Sequence, residues 1–137
     1  MQLVIDANEY IFGLGFSKKE SPESLLKLVA KTPLRYSVRI CRTIVEEVKT
    51  NLSVQDFQTF IKLISIVAVI DEDILVPFEL GAKYESDGLK PADAFIAAYA
   101  EWTGADVLVT ENRHFLTRQA GLPFKVLTAK HCLKFLK

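Results

Sequence analysis

The chain has 137 residues, half of them hydrophobic and a quarter charged, with little Gly or Pro. That is the size and composition of one folded domain with a real core, and it excludes a disordered or repetitive chain. Net charge is zero but uneven: residues 71 to 111 hold ten Asp and Glu against Lys83 and Lys90, whereas residues 112 to 137 hold six Lys and Arg and no acid. An acidic middle with a basic flank suits a metal site beside a phosphate-binding rim, and equally an ordinary solvated surface. No apolar run reaches the roughly 18 residues needed to span a bilayer. The N-terminus enters strand-like sequence without a basic segment and a long apolar one, so a cytoplasmic protein forming a single domain over residues 1–137, with no membrane partner, is expected. Cys41 and Cys132 stand apart without metal-ligand spacing and read as buried apolar residues.

Leu3, Val4 and Ile5 form a short apolar run with two β-branched residues, a buried first strand that ends on Asp6. Tyr10 to Leu14 suggest a short helix, and Ser21 followed by Pro22 marks the start of a second, which Thr32 and Pro33 stop. Tyr36, Val38 and Ile40 alternate with polar residues as a second strand. Thr43 with Glu46 reads as a capping box, which occupies Glu46 and leaves Glu47 free. Ser53 starts another helix on the apolar positions Phe57, Phe60, Ile61 and Ile64, and Ile66 to Ile70 has the length of a buried strand. Asp73 then caps a helix through Phe78 and Ala82. Pro91 opens the most regular helix, Ala92 to Trp102, with Asp93 in its first turn and Gly104 closing it. Val107 to Val109 form a fourth strand, followed by Thr110, Glu111 and Asn112, a short helix His114 to Gln119, a fifth strand Lys125 to Leu127 and a last helical segment Thr128 to Leu136. Strands separated by helices predict a three-layer α/β/α fold around a mainly parallel sheet of about five strands.

In such a sheet the C-terminal ends of strands and the first turns of the following helices share one rim. Asp6, Glu47 and Asp93 all fall on it, with Asn8, Thr110 and Asn112 beside them. Converging carboxylates repel one another and persist cheaply only when a cation neutralises them. Hard oxygen ligands suit Mg²⁺ or Mn²⁺, ions that orient a water and stabilise charge on a phosphodiester. Each residue also has a plain structural role: Asp6 as a helix cap with Glu9 completing a D-x-x-E box, Asp93 as a complement to a helix dipole, Thr110 and Asn112 as a turn or cap. Only their joint placement points to hydrolysis of a nucleic-acid backbone. A phosphoacceptor domain built on Asp6 would need an acidic pair beside it, which is missing.

The segments Leu3-Val4-Ile5-Asp6-Ala7-Asn8, Thr43 to Val48, Pro91-Ala92-Asp93-Ala94-Phe95-Ile96-Ala97-Ala98 and Leu108-Val109-Thr110-Glu111-Asn112-Arg113-His114-Phe115 come in the order and spacing of a known family. Over essentially its whole length the chain resembles a PIN domain. The resemblance implies an Mg²⁺- or Mn²⁺-dependent endoribonuclease, commonly the VapC-like toxin of a toxin–antitoxin pair, with Asp6, Glu47 and Asp93 as its site acids. The position after the fourth strand, often Asp in the family, is Asn112; the metal-ligand role carries over to it, with Glu111 as the alternative. Asn8 and Thr110 would support the site, and Arg113, His114 and Arg118 are candidate phosphate contacts. RNA, an antitoxin protein and a second copy of the chain are the expected partners, the last two through Tyr10, Phe12, Phe16, Phe57 and Phe60. The alternative is a PIN-like module that binds RNA or protein without cutting.

Overall fold

The computed structural model describes residues 1–118 and 121–136. Five strands, β1 (Gln2–Ile5), β2 (Ser37–Cys41), β3 (Ala68–Asp71), β4 (Val107–Val109) and β5 (Lys125–Leu127), pair in parallel in the order β3-β2-β1-β4-β5. β1 lies at the centre because its Leu3, Val4 and Ile5 are apolar on both faces, and all three are buried. Ile5 is level with Val109 of β4, so Asp6 and Thr110 leave the sheet side by side.

Helices α1 (Ala7–Leu14), α2 (Glu20–Lys31), α3 (Arg42–Asn51) and α4 (Val54–Val67) belong to the first half of the chain. They pack on one another, and α8 (Ala129–Leu136) joins them against α2. α5 (Phe78–Ser86) packs on α6 (Pro91–Thr103). Right-handed crossovers put α1 to α4 on one face of the sheet and α5 and α6 on the other, giving the expected three layers. A short α7 (Arg113–Leu116) links β4 to β5. The core is continuous through the sheet, from Leu25 and Ile44 on one side to Ile96 and Ala100 on the other, with Cys41 and Cys132 buried in it and their thiols pushed up to about 12 by burial.

Several boundaries differ from the sequence reading. α2 begins at Glu20 rather than Ser21, without a side-chain cap; Glu20 and Glu23 in its first turn complement the helix dipole instead. α4 continues to Val67, so β3 starts at Ala68, two residues beyond Ile66; the apolar run 66–70 suits either state until tertiary pairing decides. The helix expected from Asp73 is split: a 3-10 turn at Asp73–Leu75 ends before Pro77, which has no N–H to continue it and stands as the N-cap of α5. α7 ends at Leu116; Gln119, where the sequence ended it, lies outside the described residues. α6 behaves as read, with Gly104 at φ 69° accepting the left-handed turn that closes it.

The aromatic partner surface is also corrected. Tyr10 and Phe60 are core residues in an edge-to-face pair with ring centroids 5.0 Å apart, and Phe57 packs beside Phe60. Phe16 stands fully exposed and apart from them. The five aromatics do not form one outward groove, because the α1–α4 packing consumes two of them.

Candidate active site

The sheet reverses its winding between β1 and β4: the chain moves outward from β1 to β2 and β3, then returns to lay β4 on the other side. The crevice at the carboxyl ends of such neighbouring strands is where open α/β sheets bind ligands. Asp6 enters it directly from β1. Its backbone N–H bonds to the Val109 carbonyl at 2.9 Å, its Oδ1 accepts the Ala7 N–H at 2.8 Å and its Oδ2 accepts the Thr110 hydroxyl at 2.8 Å. Asp6 is thus the N-cap of α1, but the D-x-x-E box does not form: Glu9 turns into the interior, fully buried.

Asp93 arrives from the other layer. Pro91 fixes the first turn of α6, and Asp93 Oδ1 accepts the Asn112 Nδ2–H at 3.1 Å. Glu47 comes from the second turn of α3, which carries no side-chain cap of its own. The expected capping box of Thr43 and Glu46 is absent because α3 starts two residues earlier, with Cys41 rather than Thr43 at the N-cap, placing Thr43 inside the helix and Glu46 in solvent. The cap comes from elsewhere: Asp73 accepts the Thr43 N–H at 3.1 Å and the Thr43 hydroxyl at 2.5 Å. The 3-10 turn after β3 therefore holds the start of the helix that carries Glu47.

The three acids feel one another. Burial raises the Asp6 carboxyl above its ordinary value, the bonds from Thr110 and Ala7 oppose this, and the Asp93 charge adds to the rise. Glu47 is raised by partial burial, then by the charges of Asp6 and Asp93. Among the described residues no Lys, Arg or His forms an ion pair with any of the three. This is the mutual repulsion that a bound cation relieves, and the donor chemistry, hard carboxylate oxygens, fits Mg²⁺ or Mn²⁺. Among the described residues, no three His, Cys, Asp or Glu side chains already stand at the spacing that encloses a metal. Mg²⁺ tolerates such a site, since it keeps several waters and takes only one or two carboxylates with the rest from substrate phosphate.

The remaining candidates divide. Thr110 is fully buried and bridges Asp6 to the N–H of Asn112, at 3.0 Å from its Oγ1. Asn112 is the N-cap of α7: its Oδ1 accepts the His114 N–H at 2.9 Å, so the amide nitrogen, not the oxygen, faces Asp93. In this arrangement the Asn112 amide acts towards Asp93 as a donor rather than presenting the oxygen expected of a ligand. Glu111 Oε2 accepts the Ala129 N–H of α8 at 2.9 Å. Asn8 lies in the first turn of α1 and makes no hydrogen bond to the acids among the described residues. Arg113 and His114 are exposed at the start of α7, next to Asn112, whereas Arg118 Nη1 is occupied by the Asp87 carbonyl at 3.0 Å, in the turn where Gly88 has φ 101°.

Two features escaped the sequence reading. Glu9 is fully buried with no donor on either oxygen; burial and the facing Glu111 carboxylate push it up to about 9. Its one visible signal was an acid at the interior position of a helix otherwise apolar on that face. On the opposite layer Arg39 makes two 2.8 Å bonds to Asp71, and Tyr99 donates a third at 2.6 Å. A charged residue in the middle of an alternating strand was the signal for that cluster.

With this geometry in view, no family model matches the sequence, and no curated protein matches it. Among solved structures the chain is similar to a chain in the crystal structure of VapBC2 from Rickettsia felis bound to a DNA fragment from their promoter, at 21% identity over 93% of this chain and 97% of that chain, with a TM-score of 0.62. The fold is PIN-like. At that identity the likeness extends to the three-layer architecture and leaves the side chains to speak for themselves. The PIN-like arrangement accounts for why residues as distant in sequence as Asp6 and Asp93 meet at one rim. No helix among the described residues is long and apolar enough to cross a membrane.

Proposed function

We propose that this chain is a metal-dependent endoribonuclease and the toxin of a toxin–antitoxin pair. The observation that carries the reading is the group Asp6, Glu47 and Asp93: three carboxylates from three elements at the switch point of a PIN-like sheet, Asp6 and Glu47 raised by burial and by the neighbouring acidic charges, with no basic side chain in the described residues paired with any of the three. Asp6 and Asp93 would hold Mg²⁺ or Mn²⁺, with Glu47 completing the site from α3. A bound divalent ion supplies an activated water and stabilises negative charge on the scissile phosphodiester. The chain's own residues do the remaining work. Thr110 and the Ala7 N–H fix both oxygens of Asp6, leaving its carboxylate one orientation. Glu47, exposed and raised in pKa, would take a proton from the attacking water. Arg113 and His114 stand exposed beside this rim, where the backbone of a single strand would pass.

The antitoxin partner is supported by the PIN-like fold and by the VapBC2 structure, whose own name describes a complex on promoter DNA. RNA as substrate, a homodimer and a cytoplasmic location rest on the family resemblance.

The test is cleavage of a mixed RNA substrate with 5 mM Mg²⁺ or Mn²⁺, on the order of the millimolar range such open sites require, by the wild type and by Asp6→Asn. Cleavage should need the metal and fall at least about a hundredfold in the variant, the scale of losing a general base or an electrostatic stabiliser. Equal cleavage would remove Asp6 from the mechanism. Among the described residues no three acids stand at closed metal spacing, which suits a second reading, a binding module. Calorimetry separates the two: the nuclease binds Mn²⁺ without RNA, and the binding module does not.

A further inference from the structure

Asn112 is held through its backbone N–H and through both ends of its side-chain amide. Its backbone N–H donates to Thr110 Oγ1, whose hydroxyl proton goes on to Asp6 Oδ2. Its Nδ2–H donates to Asp93 Oδ1, and its Oδ1 accepts the His114 N–H that opens α7. The direction of each bond is fixed by the others. Because a backbone N–H can only donate, the cap requires the amide oxygen on the α7 side, and the nitrogen is then the only group that can face Asp93. Because Thr110 Oγ1 accepts from Asn112, its single proton is free to point at Asp6. The result is one chain of donors that begins at Asn112 and ends on the two carboxylates nearest the switch point.

We propose that Asn112 is a positioning residue that sets the spacing of Asp6 and Asp93. It replaces the flexible meeting of two repelling acids by one direct hydrogen bond from its side chain to Asp93 and one relayed from its backbone through Thr110 to Asp6, anchored by the first turn of α7. Neither arm places a positive charge in the site, which leaves the cation position to a metal. This inference rests on the nuclease reading for its consequence but not for its test.

Nuclear magnetic resonance of the metal-free protein reads the chain of bonds directly. Asp93→Asn should move the side-chain amide resonances of Asn112, and Thr110→Val should move its backbone amide; resonances that stay in place in both variants overturn the proposal, whatever the protein does with metal. Calorimetry then reads the consequence. Asn112→Ser keeps a good N-cap for α7 but has no amide to reach Asp93. It should melt within a degree or two of the wild type yet bind Mn²⁺ about tenfold more weakly, the usual loss when a residue that orients a metal ligand is removed. Unchanged Mn²⁺ affinity in Asn112→Ser would show that Asp93 does not need the bond and would overturn the positioning role. A wild type that binds no Mn²⁺ at all would instead defeat the nuclease reading, and the resonance shifts would still decide the role of Asn112.

Discussion

Carboxylates at the same rim of the sheet, Asp71 on one side of β2 and Asp6 with Glu47 on the other, are treated in opposite ways. Asp71, at the end of β3, is buried and fully compensated: the Arg39 guanidinium grips both oxygens, Tyr99 adds a third bond, and Trp102 lies 5.9 Å beneath the guanidinium carbon. Burial works to raise its pKa, but the hydrogen bonds and the positive charge outweigh it and hold the carboxyl below its ordinary value. Asp6 and Glu47, a strand or two away, are raised. The protein therefore has the means to neutralise an acid at this rim and applies them at Asp71 and Glu72, whereas among the described residues no ion pair reaches Asp6, Glu47 or Asp93. Acids left without a counter-charge in this way are candidates for a ligand site.

The sharpest break of this contrast is Arg39→Met. It leaves Asp71 buried with only Tyr99 and should cost about 3–5 kcal/mol in urea unfolding, as is usual when one partner of a buried pair is removed. Asp71 has a depressed pKa, so the stability it contributes is present above the unfolded carboxylate pKa and is lost as pH falls through the lower folded value. Acid titration of the wild type should show that loss, and Arg39→Met should show less of it.

Glu9 gives the opposite pH sign. Its folded pKa is raised to about 9 from 4.5, so the native state holds a proton that the unfolded state has released, and stability falls as pH rises from about 4.5 towards 9. Glu9→Gln should remove that slope. The gain should be about 1–3 kcal/mol at pH 8, the cost of a buried group without a partner, and close to nothing at pH 4. A melting temperature for Glu9→Gln that tracks the wild type across the whole range would show that Glu9 stays ionised.

Asp73→Ala tests the borrowed cap of α3. It should cost about 1 kcal/mol and weaken Mn²⁺ binding through Glu47, whereas Glu46→Ala, removed from any cap, should do neither. The smallest effect separates the two acid groups most cleanly in sign. Glu47→Gln relieves repulsion from Asp6 and Asp93 and should stabilise the metal-free protein by about 0.5 kcal/mol or less, while abolishing cleavage. Removing metal with a chelator should leave the wild type folded and inactive, and adding Mn²⁺ at a hundredfold its dissociation constant should restore activity and add about 2.7 kcal/mol of stability. A destabilised Glu47→Gln would mean that this carboxylate belongs with Asp71.

Much of the fold was legible because each strand announces itself locally. β1, β4 and β5 and the helix from Pro91 to Gly104 lie where apolar runs, the proline and the glycine put them. The rim positions of Asp6 and Asp93 were legible for the same reason, since a strand end and a first turn can be found without knowing the partners. What was not legible is non-local. Thr43 and Glu46 have the spacing of a capping box, yet the cap is Asp73, thirty residues on, and no local pattern carries that. Asn112 reads as an amide where an acid would ligate; only the position of α7 shows that its oxygen is spent and its nitrogen is what reaches Asp93. Glu9 looks like half of a cap until Asp6 is seen to use its own neighbour, Ala7, instead.

The central place of β1 carries a consequence for how the chain acquires its activity. Asp6 meets Thr110 across 104 residues of chain, and β1 has no partner on that side until β4 docks. Parallel pairing at such separation forms late, because loop closure must precede any reward from the contact. A chain emerging from its ribosome therefore carries Asp6 well before its site can assemble, because Thr110 at the end of β4 follows only 104 residues later. For a protein proposed to cut RNA, late assembly keeps the nascent chain harmless to the message that encodes it.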